Sequence, residues 1–202
     1  MKGIPGDSCK ATLVTQSASD SKKIVVGIGG TLRPRSSTEL AVRRVLAHAE
    51  ARGAETIMFT GPDLNFPMYG SGDVPETQRF VEALRKAHCI VIGSPGYHGG
   101  ISGLVKNALD YVEEMSGDAQ PYFDGRCVGC VSTGAGWQGA NATLQALRGV
   151  VHALRGWPTP LGVALNSREP LFSEDGDPKF SEVDAQLRLL ANQLISFSAT
   201  SA

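Results

Sequence analysis

The sequence predicts an α/β fold: one doubly wound, five-stranded parallel sheet with helices on both faces. Three observations favour this class. Short apolar runs alternate five times with segments whose apolar residues recur at helical spacing, as in consecutive βα units. No segment repeats at a fixed period. At 202 residues the chain is long enough for one substantial core, so we expect a single domain over residues 23–198, preceded by a flexible arm over residues 1–22.

The five strands are predicted where apolar residues run almost without interruption. Residues 23–29 form the first run, which is apolar on both faces, as in strands buried between two layers of helices. The other strands are predicted at residues 55–59, 88–93, 126–132 and 160–165. Ligands of such sheets bind at the carboxyl ends of the strands. We therefore expect functional residues in the loops after strands one, three and four.

Five helices are predicted from apolar residues at helical spacing. The first covers residues 37–52 and ends before Gly53, a residue type that often terminates helices. The remaining helices are predicted at residues 76–87, 101–115, 139–154 and 180–194. The segment 61–75 is rich in proline, glycine and asparagine, and this composition predicts a loop.

Composition and charge exclude several classes of function. The formal net charge is −1 and the 19 basic residues form no run, which argues against a nucleic-acid partner. The longest apolar runs have strand length, far below the roughly 18 residues that span a bilayer, so we expect no membrane association. The first residues lack the apolar segment of a secretory signal, and four widely spaced cysteines form no disulfide framework. A cytoplasmic location is therefore predicted.

The loop after strand one departs from two familiar phosphate-binding motifs. It reads GGTLRPRSST and follows the start of a dinucleotide-binding fingerprint, but Leu32 occupies the position of the third glycine. It also lacks the GK[ST] ending of a P-loop. The loop instead supplies hydroxyl groups and a guanidinium immediately before a helix N-terminus.

The hydroxyl and guanidinium groups of this loop are suited to a terminal phosphate monoester, such as that of FMN. The candidate phosphate-binding residues are Thr31, Arg33, Ser36, Ser37 and Thr38. A helix N-terminus favours an anion, the hydroxyls can add hydrogen bonds, and Arg33 can add a charge-assisted one. The alternative is that Ser36 or Ser37 only caps the helix and that Arg33 is a solvated surface charge.

The loops after strands three and four combine small residues with one large aromatic side chain each. They read SPGYHGG and STGAGWQ. A backbone with so little side-chain bulk can approach a flat ring and hydrogen-bond its polar edge. The candidate ring-binding residues are Pro95, Gly96, Tyr97, His98, Ser132, Thr133, Gly134 and Gly136.

Two of these candidates also have a structural interpretation. Tyr97 can pack near the ring, or it can pack on its own domain as part of a glycine-rich turn. His98 can hydrogen-bond the ring or an incoming substrate, or it can be an exposed loop histidine. The sequence leaves both choices open.

The motif CVGC, formed by Cys127 and Cys130, suggests a redox dithiol or half of a zinc site. Side chains three positions apart on a strand point to opposite faces, so we expect both thiols to be structural. No second CxxC or histidine pair completes a metal set, and no metal site is expected. Hydrolysis is also disfavoured, since no Ser-His-Asp or Cys-His set accompanies a sharp strand-to-helix turn.

The three loops together resemble those of the NAD(P)H-dependent FMN reductase family of flavodoxin-like proteins. The resemblance covers residues 23–165, in the same order and with similar spacing. In the first loop Thr31 stands in the place of the family's serine, and Arg33 matches its arginine. The other matching residues are Pro95, Tyr97, Ser102, Gly103 and Lys106 in the second loop and Thr133 and Gly134 in the third.

This resemblance implies a flavodoxin-like fold and an enzyme that uses FMN, with NADPH or NADH as co-substrate. It implies that Thr31, Arg33 and residues 36–38 bind the FMN phosphate, while residues 95–98 and 133–134 border the flavin ring. No catalytic side chain is expected, because the flavin carries the chemistry. The resemblance also implies a homodimer or homotetramer in which a neighbouring subunit helps to close the site.

The preferred hypothesis for function is a flavin reductase that supplies reduced FMN to a partner monooxygenase. The alternatives among enzymes are a reductase of quinones, azo compounds or metal ions and an FMN-dependent dehydrogenase of a dedicated metabolite, each with a small-molecule electron acceptor. A flavodoxin-type electron carrier without NAD(P)H activity belongs to another class, and the nearly neutral charge disfavours it. A domain that binds a sugar phosphate without flavin is the last alternative.

Overall fold

The computed structural model describes residues 22–72 and 74–198. The predicted arm over residues 1–22 lies outside the described residues except for Lys22, so it stays a prediction. The elements from Ile24 to Ser196 form one sheet with helices packed on it.

A largely parallel sheet forms the centre of the molecule. Its strands are β1 (Ile24–Gly29), β2 (Glu55–Phe59), β3 (Cys89–Tyr97), β4 (Gly100–Ile101), β5 (Cys127–Gly134), β6 (Trp157–Pro158) and β7 (Val163–Asn166). The long strands lie parallel in the order β2-β1-β3-β5, and β6 and β7 both pair with β5. Strand order reverses between β1 and β3, which is the switch point of a doubly wound sheet. The predicted α/β class is confirmed, with seven strands among residues 22–72 and 74–198 in place of five.

Both additional strands have local causes. The fifth strand expected at residues 160–165 is the later and shorter β7, and the two-residue β6 precedes the expected range; Pro160, which has no N–H for the ladder, lies between them. The short β4 follows a two-residue turn at His98 and Gly99, whose φ angles of 51° and 89° suit a type I′ hairpin. Because β3 pairs with β4, it continues to Tyr97, and residues expected in a loop belong to a strand.

In the described part of the chain five α-helices cover the sheet: α1 (Ser37–Glu50), α2 (Pro75–Lys86), α3 (Gly103–Asp110), α4 (Trp137–Ala153) and α5 (Ser181–Ser196). The helix expected over residues 101–115 differs most. Ile101 lies in β4, Ser102 caps α3, and the chain continues beyond α3 as a 3-10 helix at Tyr111–Met115. The predicted loop 61–75 contains one 3-10 helix, Pro62–Leu64. None of the helices in the described ranges has the length and apolar content needed to cross a membrane.

Alternate residues of the central strands enter two separate hydrophobic cores. Ile28, Ile90 and Ile92 pack in the core formed with α2, α3 and α4, whereas Val25 and Val91 pack in the core formed with α1 and α5. All five side chains are fully buried. Both faces of the sheet are therefore covered, and the carboxyl edge of the strands is the place for a ligand.

Candidate functional site

A cavity of about 680 Å³ lies at the carboxyl edge of the sheet. Its walls come from the loop after β1, the ends of β3 and β5, and the first turns of α1 and α3. The predicted site residues that line it are Thr31, Arg33, Ser36, Ser37, Thr38, Pro95, Gly96, Tyr97, Thr133 and Gly134. The cavity thus brings together the three loops that the sequence analysis treats as one site.

The N-terminus of α1 forms one wall of the cavity. Ser36 is its N-cap, and its Oγ accepts a hydrogen bond of 3.3 Å from the N–H of Glu39. The capping role considered for Ser36 is therefore real, although the residue also lines the cavity. The N–H groups of Ser37 and Thr38 belong to the first turn, where an α-helix offers no acceptor of its own. This end of α1 can therefore donate to an anion.

The preceding loop holds itself in shape by local hydrogen bonds. The N–H of Arg33 donates to Thr31 Oγ1 at 3.1 Å, and the Thr31 hydroxyl lies 3.2 Å from the carbonyl oxygen of Arg33. The Arg33 side chain is exposed and has no ion-pair partner among the residues that the structure describes. Its charge is therefore available to a ligand at the cavity.

The buried carboxylate of Glu39 lies close to this anion-binding end of α1, but its negative charge is already balanced by hydrogen bonds and an ion pair. Glu39 accepts hydrogen bonds from the N–H of Arg35 at 3.0 Å and from Nε of Arg43 at 2.8 Å. The Arg35 guanidinium donates to the carbonyl oxygen of Glu174. Because Arg43 and Arg35 are engaged in this way, Arg33 is the cation of the loop best placed to pair with a bound phosphate.

The end of β3 forms another wall of the cavity. Pro95, Gly96 and Tyr97 line the cavity, and the Tyr97 side chain is 54% exposed beside it instead of packing into the domain. A Cβ on Gly96 would lie 2.6 Å from Thr143 Oγ1 of α4, so only glycine permits this close packing. The wall is consequently flat where Gly96 lies and aromatic at its rim.

The end of β5 completes the floor. Thr133 and Gly134 line the cavity, and a Cβ on Gly134 would lie 2.8 Å from the backbone nitrogen of Ala140. The Thr133 hydroxyl lies 2.6 Å from that of Thr38, so the third loop contacts the first directly.

Three predicted site residues do not line the cavity. Ser132 is fully buried, and its hydroxyl donates to the carbonyl oxygen of Ala140 at 2.7 Å, which ties β5 to α4. His98 occupies the exposed hairpin turn between β3 and β4, since its positive φ directs the chain back along the sheet. Gly136 precedes α4 with a φ of 154° and lies just beyond the lining residues.

The cavity has further lining residues that the sequence analysis did not include in the site. They are Leu32, Ser102, Gly103, Leu104, Ala135 and Ser167. Ser102 Oγ accepts from the N–H of Val105 at 3.2 Å, so α3 also begins at the cavity. Ser167 follows β7, and its N–H donates to the carbonyl oxygen of Gly134 at 2.8 Å. Ser102 and Gly103 are among the residues that carry the family resemblance, and the position of Ser167 at the end of a strand is the signal that could have identified it.

The three cysteines that the structure describes, Cys89, Cys127 and Cys130, do not line the cavity. Cys130 packs in the core with α4 and Cys127 in the core with α5, so the CVGC thiols are on opposite faces, as predicted. Cys89 pairs in register with Cys127 on the neighbouring strand, a proximity that sequence spacing does not reveal. Burial raises the pKa of Cys127 and of Cys130 to about 12. Within the described ranges, no cluster of histidine, cysteine and acidic residues is suited to a metal ion.

Comparison with known proteins identifies the family. The sequence model described as NADPH-dependent FMN reductase matches residues 24–169. The chain belongs to this family. An FMN-dependent NADPH-azoreductase of Staphylococcus aureus is 26% identical over 182 residues, covering 83% of this chain and 91% of the relative. The protein is therefore an NAD(P)H-dependent oxidoreductase with FMN as cofactor.

Solved structures of family-like flavoproteins share the fold. The flavoenzyme NAD(P)H:acceptor oxidoreductase FerB of Paracoccus denitrificans has a TM-score of 0.70 and 16% identity, covering 88% of this chain and all of that one. An NADH:FMN oxidoreductase, EMOB, has a TM-score of 0.66 and 19% identity, and the match covers 87% of this chain and 92% of that one. An archaeal flavodoxin has a TM-score of 0.57 at 11% identity. The flavodoxin-like fold is thereby confirmed.

Proposed function

We propose that the cavity binds FMN with its phosphate at the N-terminus of α1 and its ring between the ends of β3 and β5. The observation that carries this proposal is the grouping of hydroxyls, unpaired helix N–H groups and Arg33 at one end of a cavity whose other end is lined by Pro95, Gly96 and Gly134. The first end suits a phosphate monoester. The second end suits a flat ring because a glycine-rich backbone allows close approach.

The chain contributes binding and orientation to the reaction. FMN, when bound, supplies the two-electron chemistry between NAD(P)H and an acceptor. Ser37 and Thr38 donate hydrogen bonds to the phosphate and Arg33 adds charge, while Thr31 lines the phosphate site and holds the loop in shape through its hydrogen bonds with Arg33. Tyr97 and Leu32, which are 54% and 57% exposed, border the mouth and leave room for the nicotinamide or the acceptor.

We propose a small diffusible compound, of azo or quinone type, as the electron acceptor. This choice is supported by the relative from Staphylococcus aureus, whose name describes an azoreductase. The apolar rim formed by Leu32 and Tyr97 suits an uncharged planar acceptor. Such an enzyme keeps FMN bound between turnovers.

A flavin reductase that supplies reduced FMN to a partner monooxygenase is the second candidate. The observation that favours it is the exposure of Leu32 and Tyr97, which line the cavity and are both more than half exposed. A flavin that leaves after reduction needs an exposed exit. We also propose a homodimer or homotetramer and a cytoplasmic location, as the family resemblance and the composition imply.

Titration of the purified apoprotein with FMN, followed by anaerobic addition of NADPH or NADH, tests the proposed function. We expect saturable quenching of flavin fluorescence and then loss of the visible absorbance of the oxidised flavin. Binding without that loss would contradict an NAD(P)H-dependent reaction. Failure to bind FMN would contradict the assignment of the cavity.

The two acceptor proposals differ in whether FMN stays bound. Protein loaded with FMN and passed through a desalting column should reduce an azo dye and a quinone at undiminished rate if flavin is a bound group. If flavin is a diffusing product, the desalted protein should lose activity and regain it in proportion to added FMN. A rate that responds to FMN alone, without turnover of either acceptor, would favour the monooxygenase-supplying role.

A further inference from the structure

Two threonine hydroxyls meet on the floor of the cavity. Thr38 Oγ1, in the first turn of α1, lies 2.6 Å from Thr133 Oγ1 near the end of β5. Both residues line the cavity, and they are only 1% and 4% exposed. They are 95 residues apart in sequence, so the contact joins the proposed phosphate loop to the proposed ring loop.

The two hydroxyl groups have two protons, and the hydrogen bond between them uses only one. A threonine hydroxyl has one O–H donor and two acceptor lone pairs. At 2.6 Å one hydroxyl donates to the other, and either atom can be the donor. Neither oxygen has another hydrogen-bond partner among the described residues, so the second O–H proton has no acceptor in that part of the chain. Because both hydroxyls line the cavity, this proton is available to a bound molecule.

The direction of the pair follows from the charge of its surroundings. Thr38 lies beside the unpaired N–H groups at the start of α1, where the helix favours an anion. If Thr38 donated to Thr133, it would present only lone pairs to a phosphate oxygen, which is repulsive. If Thr133 donates instead, Thr38 keeps its proton for the phosphate, and the two hydrogen bonds strengthen each other.

We propose that Thr133 is a positioning residue for phosphate recognition: its hydroxyl donates to Thr38 and thereby directs the Thr38 proton to the phosphate of FMN. This inference rests on the proposed position of FMN. It assigns part of phosphate binding to a residue of the β5 loop, which the sequence analysis assigned to the flavin ring. It also predicts that a change at Thr133 affects FMN more than riboflavin, which lacks the phosphate.

The test compares dissociation constants for FMN and riboflavin in wild type and variants. Thr133→Val removes the donor at nearly constant volume, and we expect FMN binding to weaken about fivefold to tenfold while riboflavin changes less than about twofold. Thr133→Ser keeps the hydroxyl and should restore the wild-type ratio. Thr38→Val should weaken FMN binding at least as much. Thr159→Val is the matched control, because Thr159 is a buried threonine whose hydroxyl donates to Leu161 outside the cavity.

The outcomes separate this inference from the proposed function. If wild type binds no FMN, the proposed function fails and the inference fails with it. If wild type binds FMN but Thr133→Val weakens the binding of FMN and of riboflavin equally, or weakens neither, the FMN site stands. The proposed relay, in which Thr133 donates to Thr38 and Thr38 donates to the phosphate, is then overturned. Should Thr133→Val fold poorly, inhibition of FMN binding by inorganic phosphate is measured in Thr133→Ser and Thr133→Ala. If phosphate inhibits FMN binding less in Thr133→Ala than in Thr133→Ser, the relay is supported. Equal inhibition in the two variants overturns it.

Discussion

At the scale of single residues, Arg33 is the charge on which the proposed phosphate site depends most. Its guanidinium is exposed beside the cavity and has no ion-pair partner among the described residues. The neighbouring Arg35 and Arg43 are both engaged, with Glu174 and Glu39. Arg33 can therefore respond to a ligand without breaking an existing interaction.

Replacing Arg33 by alanine should weaken FMN binding. The expected loss of binding free energy is about 1.5 kcal/mol, which raises the dissociation constant roughly tenfold. This value is at the low end of the range for a charged hydrogen bond, because solvent screens the exposed guanidinium. Riboflavin affinity should stay unchanged, since riboflavin has no phosphate. Calorimetric titration with both flavins measures the difference. Arg188→Ala, an exposed arginine of α5, is the control, and equal loss for both flavins would place Arg33 outside the phosphate site.

Replacing Cys127 by valine and Cys130 by alanine should leave NAD(P)H oxidation largely intact. Both thiols are buried, and a pKa of about 12 keeps them protonated and unreactive at neutral pH. The expected effect is a loss of about 1–2 kcal/mol in the free energy of unfolding. Activity and urea unfolding of the double variant measure both quantities. Near-total loss of activity in a folded variant would instead support a redox role for the thiols.

At the scale of elements, the loop after β2 supports the proposed phosphate loop. A Cβ on Gly61 would lie 1.8 Å from the carbonyl oxygen of Thr31, which is a backbone atom that cannot turn away. The two loops are therefore packed against each other at van der Waals distance. The composition of segment 61–75 predicts a loop but does not reveal this contact.

Gly61→Ala should displace the loop that carries Thr31 and Arg33. We expect FMN affinity to fall by at least about tenfold, because a shift of about 1 Å disrupts hydrogen-bond geometry. Fluorescence titration of the variant measures the loss, with circular dichroism to verify folding. Gly149→Ala is the control, since that helical glycine has open space around it. Unchanged affinity in a folded Gly61→Ala protein would show that the loop does not bind FMN.

The contact between α1 and α5 depends on Asp184. Its Oδ1 accepts a hydrogen bond from Arg44 Nε at 2.6 Å and lies 2.8 Å from His48 Nε2. The hydrogen bond from Arg44, aided by His48, lowers the pKa of Asp184 from 3.8 to about 2. Because the pKa is lower in the folded state, the ionised Asp184 carboxylate stabilises the fold above about pH 4. This contribution is lost as the pH falls towards 2 and the carboxylate becomes protonated.

Asp184→Asn should therefore lower the free energy of unfolding at pH 7 by about 1 kcal/mol, a value reduced for partial solvent exposure. The difference from wild type should shrink between pH 4 and pH 2, where the wild-type carboxylate becomes protonated. Urea unfolding at several pH values measures it. Asp175→Asn, an exposed aspartate without an ion pair among the described residues, should show no such dependence. A constant difference at all pH values would contradict this account.

At the scale of the whole molecule, the cavity lies where strand order reverses, and its mouth carries apolar side chains. Leu32 and Tyr97 line the cavity, Trp137 begins the adjacent α4, and each is more than half exposed. Exposed apolar groups beside a cavity are typical of a surface that another molecule covers. This rim is consistent with the proposed subunit contact at the site.

Light scattering during size-exclusion chromatography should give two or four times the 21.3 kDa mass of the chain. Replacing Trp137 by glutamate should shift the protein towards monomer, because burying a carboxylate in an apolar contact is unfavourable. Leu189→Glu, an exposed leucine of α5, is the control. A monomeric wild type at micromolar concentration would contradict the proposed oligomer.

Local sequence determined much of this protein. The apolar runs predict the starts of β1, β3 and β5 within one residue, because strands buried on both faces can tolerate few polar residues, and they also predict the edge strand β2. The sequence GGTLRPRSST predicts the hydroxyl-rich start of α1, since a cap and the loop before it are neighbours along the chain. The resemblance of the three loops also predicts the family and the cofactor, which the comparisons confirm.

Only the tertiary structure decided the contacts between distant segments. The register of β3 and β5 places Cys89 beside Cys127, and the packing of α1 against β5 joins Thr38 to Thr133. The hairpin that extends β3, and the return of Ser167 to the cavity, depend on which strands pair. Sequence spacing specifies which groups are local neighbours along a helix or strand. Strand order and register specify which remote groups meet, and these follow from packing the whole sheet.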